Sequence, residues 1–253
     1  MEGFRRYLSR YGTGRPIRSV DVRDPDLLRN RSPQSFRRAL EGRTLTRPRR
    51  HGKWLLATAG DAEVLMHFGM TGLLKWSAGD EDPHAHDRIV LEFANGRLAY
   101  RNMRKFGGVW LARSDSERER ATGRLGPDAD GLERDEFRDL VGRRRGRIKA
   151  VLMKQDVLAG VGNLLADEAL WRARIHPGCP ANRLSERRLG ALHRELQDVI
   201  RRSNRRGRIP PDPGWLTGAR DDRRSKCPRC GTGLRWTTIG GRTASWCPRC
   251  QRR

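Results

Sequence analysis

The sequence predicts an α+β fold in which a strand-rich N-terminal zone, a helical middle and a small cysteine module follow one another. Three observations predict it. Short β-type segments separated by turn signals fill the chain to about residue 115, helical periodicities run from 116 to 206, and two C-x-x-C pairs stand near the C-terminal end. The expected divisions are 1–115 for the strand zone, 116–206 for the helical zone, 207–225 for a Pro/Gly/Arg-rich connector and 226–253 for the cysteine module. A chain of 253 residues is long enough to bury a core in more than one domain.

The first zone opens with an amphipathic helix, because Phe4, Leu8 and Tyr11 recur on one helical face. Strand character follows at 16–22, 53–58, 63–68, 88–93 and 97–101. Ala59-Gly60-Asp61 marks one turn, and Asn95-Gly96 is a hairpin signal. Short strands at this spacing make a sandwich or a barrel. In the second zone, 137–141, 148–153 and 163–171 read as short helices. Leu189, Leu192, Leu196, Val199 and Ile200 line one face of a longer helix that Ser185 caps. Gly160-Val161-Gly162-Asn163 is a glycine-rich turn opening a helix, which presents free backbone N–H groups to an anion. The plain alternative is that Asn163 is an ordinary N-cap.

Cys227-Pro228-Arg229-Cys230 and Cys247-Pro248-Arg249-Cys250, with residues 231–246 between them, have zinc-ribbon spacing. Each pair puts two thiolates on one tight knuckle, and two knuckles complete a tetrahedral S₄ site for one structural Zn²⁺. The segment between them has hairpin character, around Leu234-Arg235-Trp236 and Thr243-Ala244-Ser245-Trp246. Two disulfides are the competing reading. Cys179 has no partner in sequence and reads as a small buried apolar group.

The chain carries 54 Lys and Arg against 30 Asp and Glu, a formal net charge of +24. Such an excess points to a polyanionic partner: DNA, RNA or an anionic membrane surface. No apolar run is long enough to span a bilayer. No secretory signal is visible in Met1–Arg10, so the cysteines are expected in a reducing compartment, where paired Cys bind metal more often than they form disulfides.

Three motifs, in this order, resemble the formamidopyrimidine-DNA glycosylase / endonuclease VIII family over nearly the whole chain. They are His67-Phe68-Gly69-Met70-Thr71-Gly72 with Asn102-Met103-Arg104-Lys105-Phe106-Gly107; Ile148-Lys149 through Gly160-Val161-Gly162-Asn163 to Asp167-Glu168; and Gly241-Arg242-Thr243 leading into Cys247-Pro248-Arg249-Cys250-Gln251. The resemblance implies a β-sandwich, a helix–two-turn–helix domain and a zinc finger, with damaged or abasic double-stranded DNA held in the cleft between the lobes. It implies a monomeric base-excision repair glycosylase with abasic-site lyase activity, cytoplasmic and nucleoid-associated. Met70, Arg104 and Phe106 match the residues that fill the stack after a nucleotide is extruded. A flexible Met can wedge, a Phe can stack, and an Arg can hydrogen-bond the orphaned base. Taken from composition alone, Met70 and Phe106 could equally be core residues. Asn163, Arg144, Lys149 and His86 match DNA contacts. Arg242 matches a finger arginine that grips lesion phosphates and assists the second elimination, and Lys53 matches a lysine of the first elimination.

The family places its nucleophile, a proline, and its acid, a glutamate, at the N-terminus. The chain begins Met1-Glu2-Gly3-Phe4, and the stretch that would carry them has no counterpart in it. Glu2 corresponds to the start of the first helix and not to the catalytic glutamate. Two readings follow: the true start lies upstream, or the protein binds lesions without cutting them by this route. A third reading, from another class, is a zinc-ribbon RNA-binding protein.

Overall fold

The computed structural model describes residues 1–79 and 82–252; Arg253, the end of the expected finger, lies outside them. Two compact units emerge, Met1–Arg124 and Leu125–Arg253.

In the first unit, α1 (Glu2–Tyr11) buries Leu8. Phe4 from the same face stacks on Phe68 at 4.1 Å, and Tyr11 lies 5.8 Å from Trp76. Two antiparallel four-stranded sheets follow. One has the order β1 (Ser19–Val22), β6 (Asp87–Phe93), β7 (Gly96–Arg101), β5 (Leu73–Ser77). The other runs β2 (Leu45–His51), β3 (Trp54–Ala59), β4 (Ala62–His67), β8 (Gly108–Ala112). One hydrophobic core unites their facing residues, with Val20, Ile89, Leu91 and Leu98 from the first sheet and Leu55, Val64, Met66 and Leu111 from the second. The fold is therefore the sandwich and not the barrel. Helix α2 (Pro33–Leu40) closes it with Phe36 and Leu40, and Ser32 caps that helix by accepting from the Ser35 amide.

Three strands of the sandwich had no signature in the sequence: β2, β5 and β8. Their patterns explain why. In β2 only Leu45 is buried, and Pro48 falls at a register irregularity between Thr46 and Arg49. It lies on the sheet edge, where a residue without an N–H is tolerated. The Asn95-Gly96 hairpin forms one residue earlier than expected. Ala94 and Asn95 are the loop, and Gly96 opens β7, paired with Phe93.

Helix α3 (Asp115–Thr122) groups with the first unit. Glu117 binds Arg31 at 2.9 Å, and Arg118 lies 3.6 Å from Glu63 of β4. The second unit is helical: α4 (Arg134–Gly142), α5 (Ile148–Met153), α6 (Asn163–Arg172), α7 (Glu186–Arg206) and the short α8 (Leu216–Ala219). The expected apolar face of α7 is buried, and Ser185 caps it by accepting from the Arg188 amide. The segment after α7 is more than a connector: Trp215, Leu216 and Arg220 are buried. The unit ends in the hairpin β9 (Arg235–Ile239)–β10 (Arg242–Trp246), turned by Gly240 and Gly241 with φ of 58° and 71°. Positive φ at both turn positions is the hairpin geometry that glycine pairs favour.

Candidate nucleic-acid interface and metal centre

One rim of the sandwich collects most of the expected site residues of the first unit. The register Trp54↔His67 and His67↔Gly108 brings the start of β3, the end of β4 and the start of β8 to the same edge. Lys53 was expected inside a strand; it is the second residue of the two-residue turn Gly52-Lys53 that joins β2 to β3 at this edge. The loop carrying Met70 leaves β4 here, and the loop carrying Arg104 and Phe106 enters β8 here. In the other sheet Asp87 pairs with Arg101, which puts His86, just before β6, at the end of β7 from which the Arg104 loop departs.

The side chains on this rim are exposed where a core residue would be hidden. Met70 is 70% and Phe106 62% exposed, and Met103 is also exposed. The reading of Met70 and Phe106 as core residues is thereby excluded. The Arg104 guanidinium lies 5.0 Å from the Phe106 ring centroid, a cation–π distance. His86 is half-buried, with its Nδ1 3.2 Å from Arg88 Nη2. His67 accepts from the Gly69 amide through Nδ1 at 3.2 Å. Burial, then the neighbouring positive charge of Lys53, push its pKa below the ordinary histidine value. Glu2 is engaged by Arg5 at 2.7 Å and Arg6 at 3.2 Å, and the Arg5 hydrogen bond holds its carboxyl below the usual range.

In the second unit, the turn between α5 and α6 is braced from within. Gln155 donates to the carbonyls of Met153 and Val161 at 2.9 Å and accepts from the Gly160 amide at 3.1 Å. Gly160 takes φ of 100°. The cap of α6 is Gly162, so Asn163 is the first helical residue and not the N-cap. Its Oδ1 is buried and makes no hydrogen bond. It stands beside the first-turn N–H groups, which lack intrahelical partners. Arg144 is exposed.

Lys149 corrects an expectation. It is 0% exposed, paired with Asp167 at 2.7 Å and donating to the Thr243 carbonyl at 2.6 Å, so it cannot reach a phosphate. Arg220 joins the same cluster, 3.0 Å from Asp167 and 3.3 Å from the Thr243 carbonyl. Burial drives the Lys149 ammonium pKa down and the Asp167 carboxyl pKa up, with Lys149 opposing the latter. The cluster seats the hairpin that presents Arg242, which is exposed just after the Gly240-Gly241 turn. Gln155, Asp167 and Arg220 were not singled out by sequence reasoning as site-building residues. A cation is a buried partner only once its counter-charge is known to fold beside it.

Cys227, Cys230, Cys247 and Cys250 place their sulfurs within 4.8 Å of one another. The pairs Cys230–Cys247 and Cys230–Cys250 are 3.5 Å apart, and Cys227–Cys250 is 4.0 Å apart. These separations exclude disulfides, whose sulfurs lie at about 2.05 Å. They fit a tetrahedron of thiolates around one ion, whose edge is about 3.8 Å when metal–sulfur bonds are about 2.3 Å. The Trp171 indole N–H lies 3.3 Å from Cys227 Sγ, and the Cys250 amide 3.4 Å from Cys247 Sγ. Without a cation the thiols cannot ionise together: burial pushes Cys247 up to about 12, while hydrogen bonding with Thr232 brings Cys230 down to about 6. The four residues can hold a metal ion. Cys179 is half-buried against the helical core, away from this set.

Comparison with known proteins agrees with the geometry. The family model described as the formamidopyrimidine-DNA glycosylase N-terminal domain matches residues 1–109, and the one described as the H2TH domain of that enzyme matches 125–210. The chain is 36% identical to a formamidopyrimidine-DNA glycosylase of Xanthomonas euvesicatoria over 98% of its own length and 96% of the relative's. It is 30% identical to that of Bacillus subtilis over 99% and 97%. Among solved structures it resembles the Lactococcus lactis enzyme in complex with FAPY-dG-containing DNA, with a TM-score of 0.88 and 27% identity over 100% of this chain and 98% of that one. The same enzyme with abasic-site DNA gives a TM-score of 0.87 at 27% identity, with the same coverage.

Proposed function

The chain belongs to the formamidopyrimidine-DNA glycosylase family, and from that premise we propose that it is a base-excision repair glycosylase with lyase activity on the abasic strand, acting on double-stranded DNA with an oxidised base or an abasic site. The observation that carries this reading is the sandwich rim, where exposed Met70 and Phe106, the Arg104 guanidinium and the Lys53 turn share one edge. A solvent-facing Met and Phe on short loops between cations have no use in a folded core. They suit insertion into a base stack flanked by phosphates.

Extruding a nucleotide costs a few kcal/mol of stacking and pairing. Met70 and Phe106 recover part of that by occupying the gap, and Arg104 offers its fork to the base left without a partner. In the second unit, the α6 N-terminus binds a phosphate through its first-turn backbone N–H groups, with the Asn163 side-chain N–H as a further donor. Arg144 adds a further phosphate contact. Arg242 presents its planar guanidinium to a phosphate beside the lesion and supports the second elimination. Lys53 neutralises a phosphate and supports the first. His86 contacts the backbone beside it. The ion held by the four cysteines is one structural Zn²⁺, which supplies folding energy of about 10–16 kcal/mol in such small modules. A DNA substrate supports a cytoplasmic, nucleoid-associated protein. No helix among the described residues is long and apolar enough to cross a membrane.

The test is an excision assay on duplexes each containing one oxidised purine, oxidised pyrimidine or abasic site, read by release of the modified base and by strand cleavage on a denaturing gel. The expected result is cleavage of at least one lesion duplex and none of the undamaged one, weakened by R242A and by K53A. Binding to lesion duplexes with no base released from any of them would leave a damage-binding protein. Equal affinity for undamaged RNA would overturn the DNA reading.

A further inference from the structure

We propose that the stack-filling side chains form one preassembled wedge, and that Asn102, acting through Thr71, is the positioning residue that locks it. The proposal rests on the functional reading above and adds the device that makes the rim rigid.

The Met70 loop and the Phe106 loop belong to different stretches of sequence, and Asn102 ties them. Its side chain is fully buried. Its Oδ1 accepts from the Thr71 hydroxyl at 3.2 Å and from the Lys105 amide at 3.0 Å. Its Nδ2 donates to the Tyr100 hydroxyl at 3.0 Å and reaches the Phe68 carbonyl at 3.5 Å. Thr71 completes the clip, because its hydroxyl also accepts from the Arg104 amide at 3.1 Å. Tyr100 in turn donates to the His67 carbonyl at 2.8 Å. The Asn102 amide thus holds the residue before Gly69, the residue after Met70 and the backbone just after Arg104, while Thr71 holds the Arg104 amide itself.

The backbones meet without side chains between them. A Cβ on Gly69, whose φ is 59°, would lie 2.8 Å from the Phe106 carbonyl carbon, and one on Gly107 would lie 2.1 Å from the His67 carbonyl oxygen. From the far side Arg29 donates to the carbonyls of Lys105 and Gly107 at 3.0 and 2.7 Å, and Arg88 donates to that of Asn102 at 3.0 Å. Lys105 is held at φ of 55°, a conformation that non-glycine residues rarely adopt, with its ammonium 2.6 Å from Asp24.

A loop ordered only for stability would turn its apolar side chains inward. These loops do the opposite: their polar groups are satisfied internally while Met70, Met103 and Phe106 face solvent. The only other exposed large hydrophobic among the described residues is Leu164. An apolar group held outward by a buried polar hub is arranged for a surface not yet present. Holding it rigid in advance removes the ordering cost at the moment of insertion.

The experiment compares Thr71→Val, which keeps the shape and removes the hydroxyl, with Thr71→Ser, which keeps the hydroxyl. Fluorescence anisotropy gives the affinity ratio between a duplex with a tetrahydrofuran abasic analogue and its undamaged counterpart. Amide hydrogen exchange is followed at residues 68–72 and 102–107, with melting temperature and metal content as controls. The expected result is a loss of about tenfold in the affinity ratio for Thr71→Val, from two hydrogen bonds removed, and a ratio near wild type for Thr71→Ser. Met70→Ala should cost less in the Thr71→Val background than alone, since the wedge is already loose. Exchange should rise in both loops together. An unchanged ratio in Thr71→Val, additive losses with Met70→Ala, or faster exchange confined to 70–72 would overturn the proposal. If the wild type shows no lesion preference, the functional reading fails, and the exchange of the two loops still decides the clip.

Discussion

His67 shows how a single half-buried side chain ties the rim to solution conditions. Its Nδ1 is the acceptor that holds the Gly69 amide, and an acceptor nitrogen must be unprotonated. Burial and the Lys53 charge lower its pKa in the folded state, from 6.5 in an unfolded chain. Between those two values the unfolded chain binds a proton that the native state does not. Stability is therefore complete above pH 6.5 and declines as pH falls toward the folded value. Thermal melts from pH 8 to pH 5 should show a loss of first-unit stability below pH 6.5 that His67→Gln lacks. Equal acid sensitivity in the two proteins would refute the assignment. Lys149 carries the opposite lesson about residues. Its place in the motif suggested a phosphate ligand, but the carboxylate of Asp167 and the carbonyl of Thr243 take the charge inward. Such a partner cannot be read from a local window, because it stands on another helix and another strand.

At the scale of elements, the legible parts were those whose chemistry demands a local pattern. The C-x-x-C knuckles, the hairpin between them and the Ser185 cap each need particular residues at fixed offsets, and each is where the sequence put it. The strands β2, β5 and β8 were not legible, since they lack the alternation that one buried face imposes; β2 buries little beyond Leu45. The 207–225 segment hid Trp215, Leu216 and Arg220 behind a loop-like composition. The finger is the element whose folding depends most on its metal. Trp171 of α6 hydrogen-bonds Cys227, and Arg229 lies 4.3 Å from the Trp171 ring centroid and donates to the Trp171 carbonyl. Cys247→Ser should therefore release the ion, alter Trp171 fluorescence and weaken DNA binding through the displaced Arg242. Atomic absorption on the purified variant tests it: full metal content would contradict the four-thiolate site.

For the whole molecule, the net charge of +24 gives a long-range attraction for any polyanion, and the proposed function assigns the discrimination to the rim side chains. The two contributions separate by salt. Phosphate contacts are lost with a log–log slope of about −0.9 per phosphate on duplex DNA, whatever the sequence or damage. The apolar wedge is indifferent to salt to first order, so the ratio of lesion to undamaged affinity should persist while both affinities fall. The family was readable from three short motifs, because each fixes particular residue types at fixed offsets. The clip at Asn102 was not, because a buried asparagine has no signature until its neighbours are in place.

The most direct measurement of the central claim is competition binding of the wild-type protein to three probes over a salt series: a duplex with a tetrahydrofuran abasic analogue, the same duplex undamaged, and an RNA of equal length. All three affinities should fall steeply with salt, and the abasic-analogue duplex should be preferred at every concentration, with the preference reduced by Met70→Ala and Phe106→Ala. Equal affinity for the damaged and undamaged duplexes, or for RNA, would contradict it.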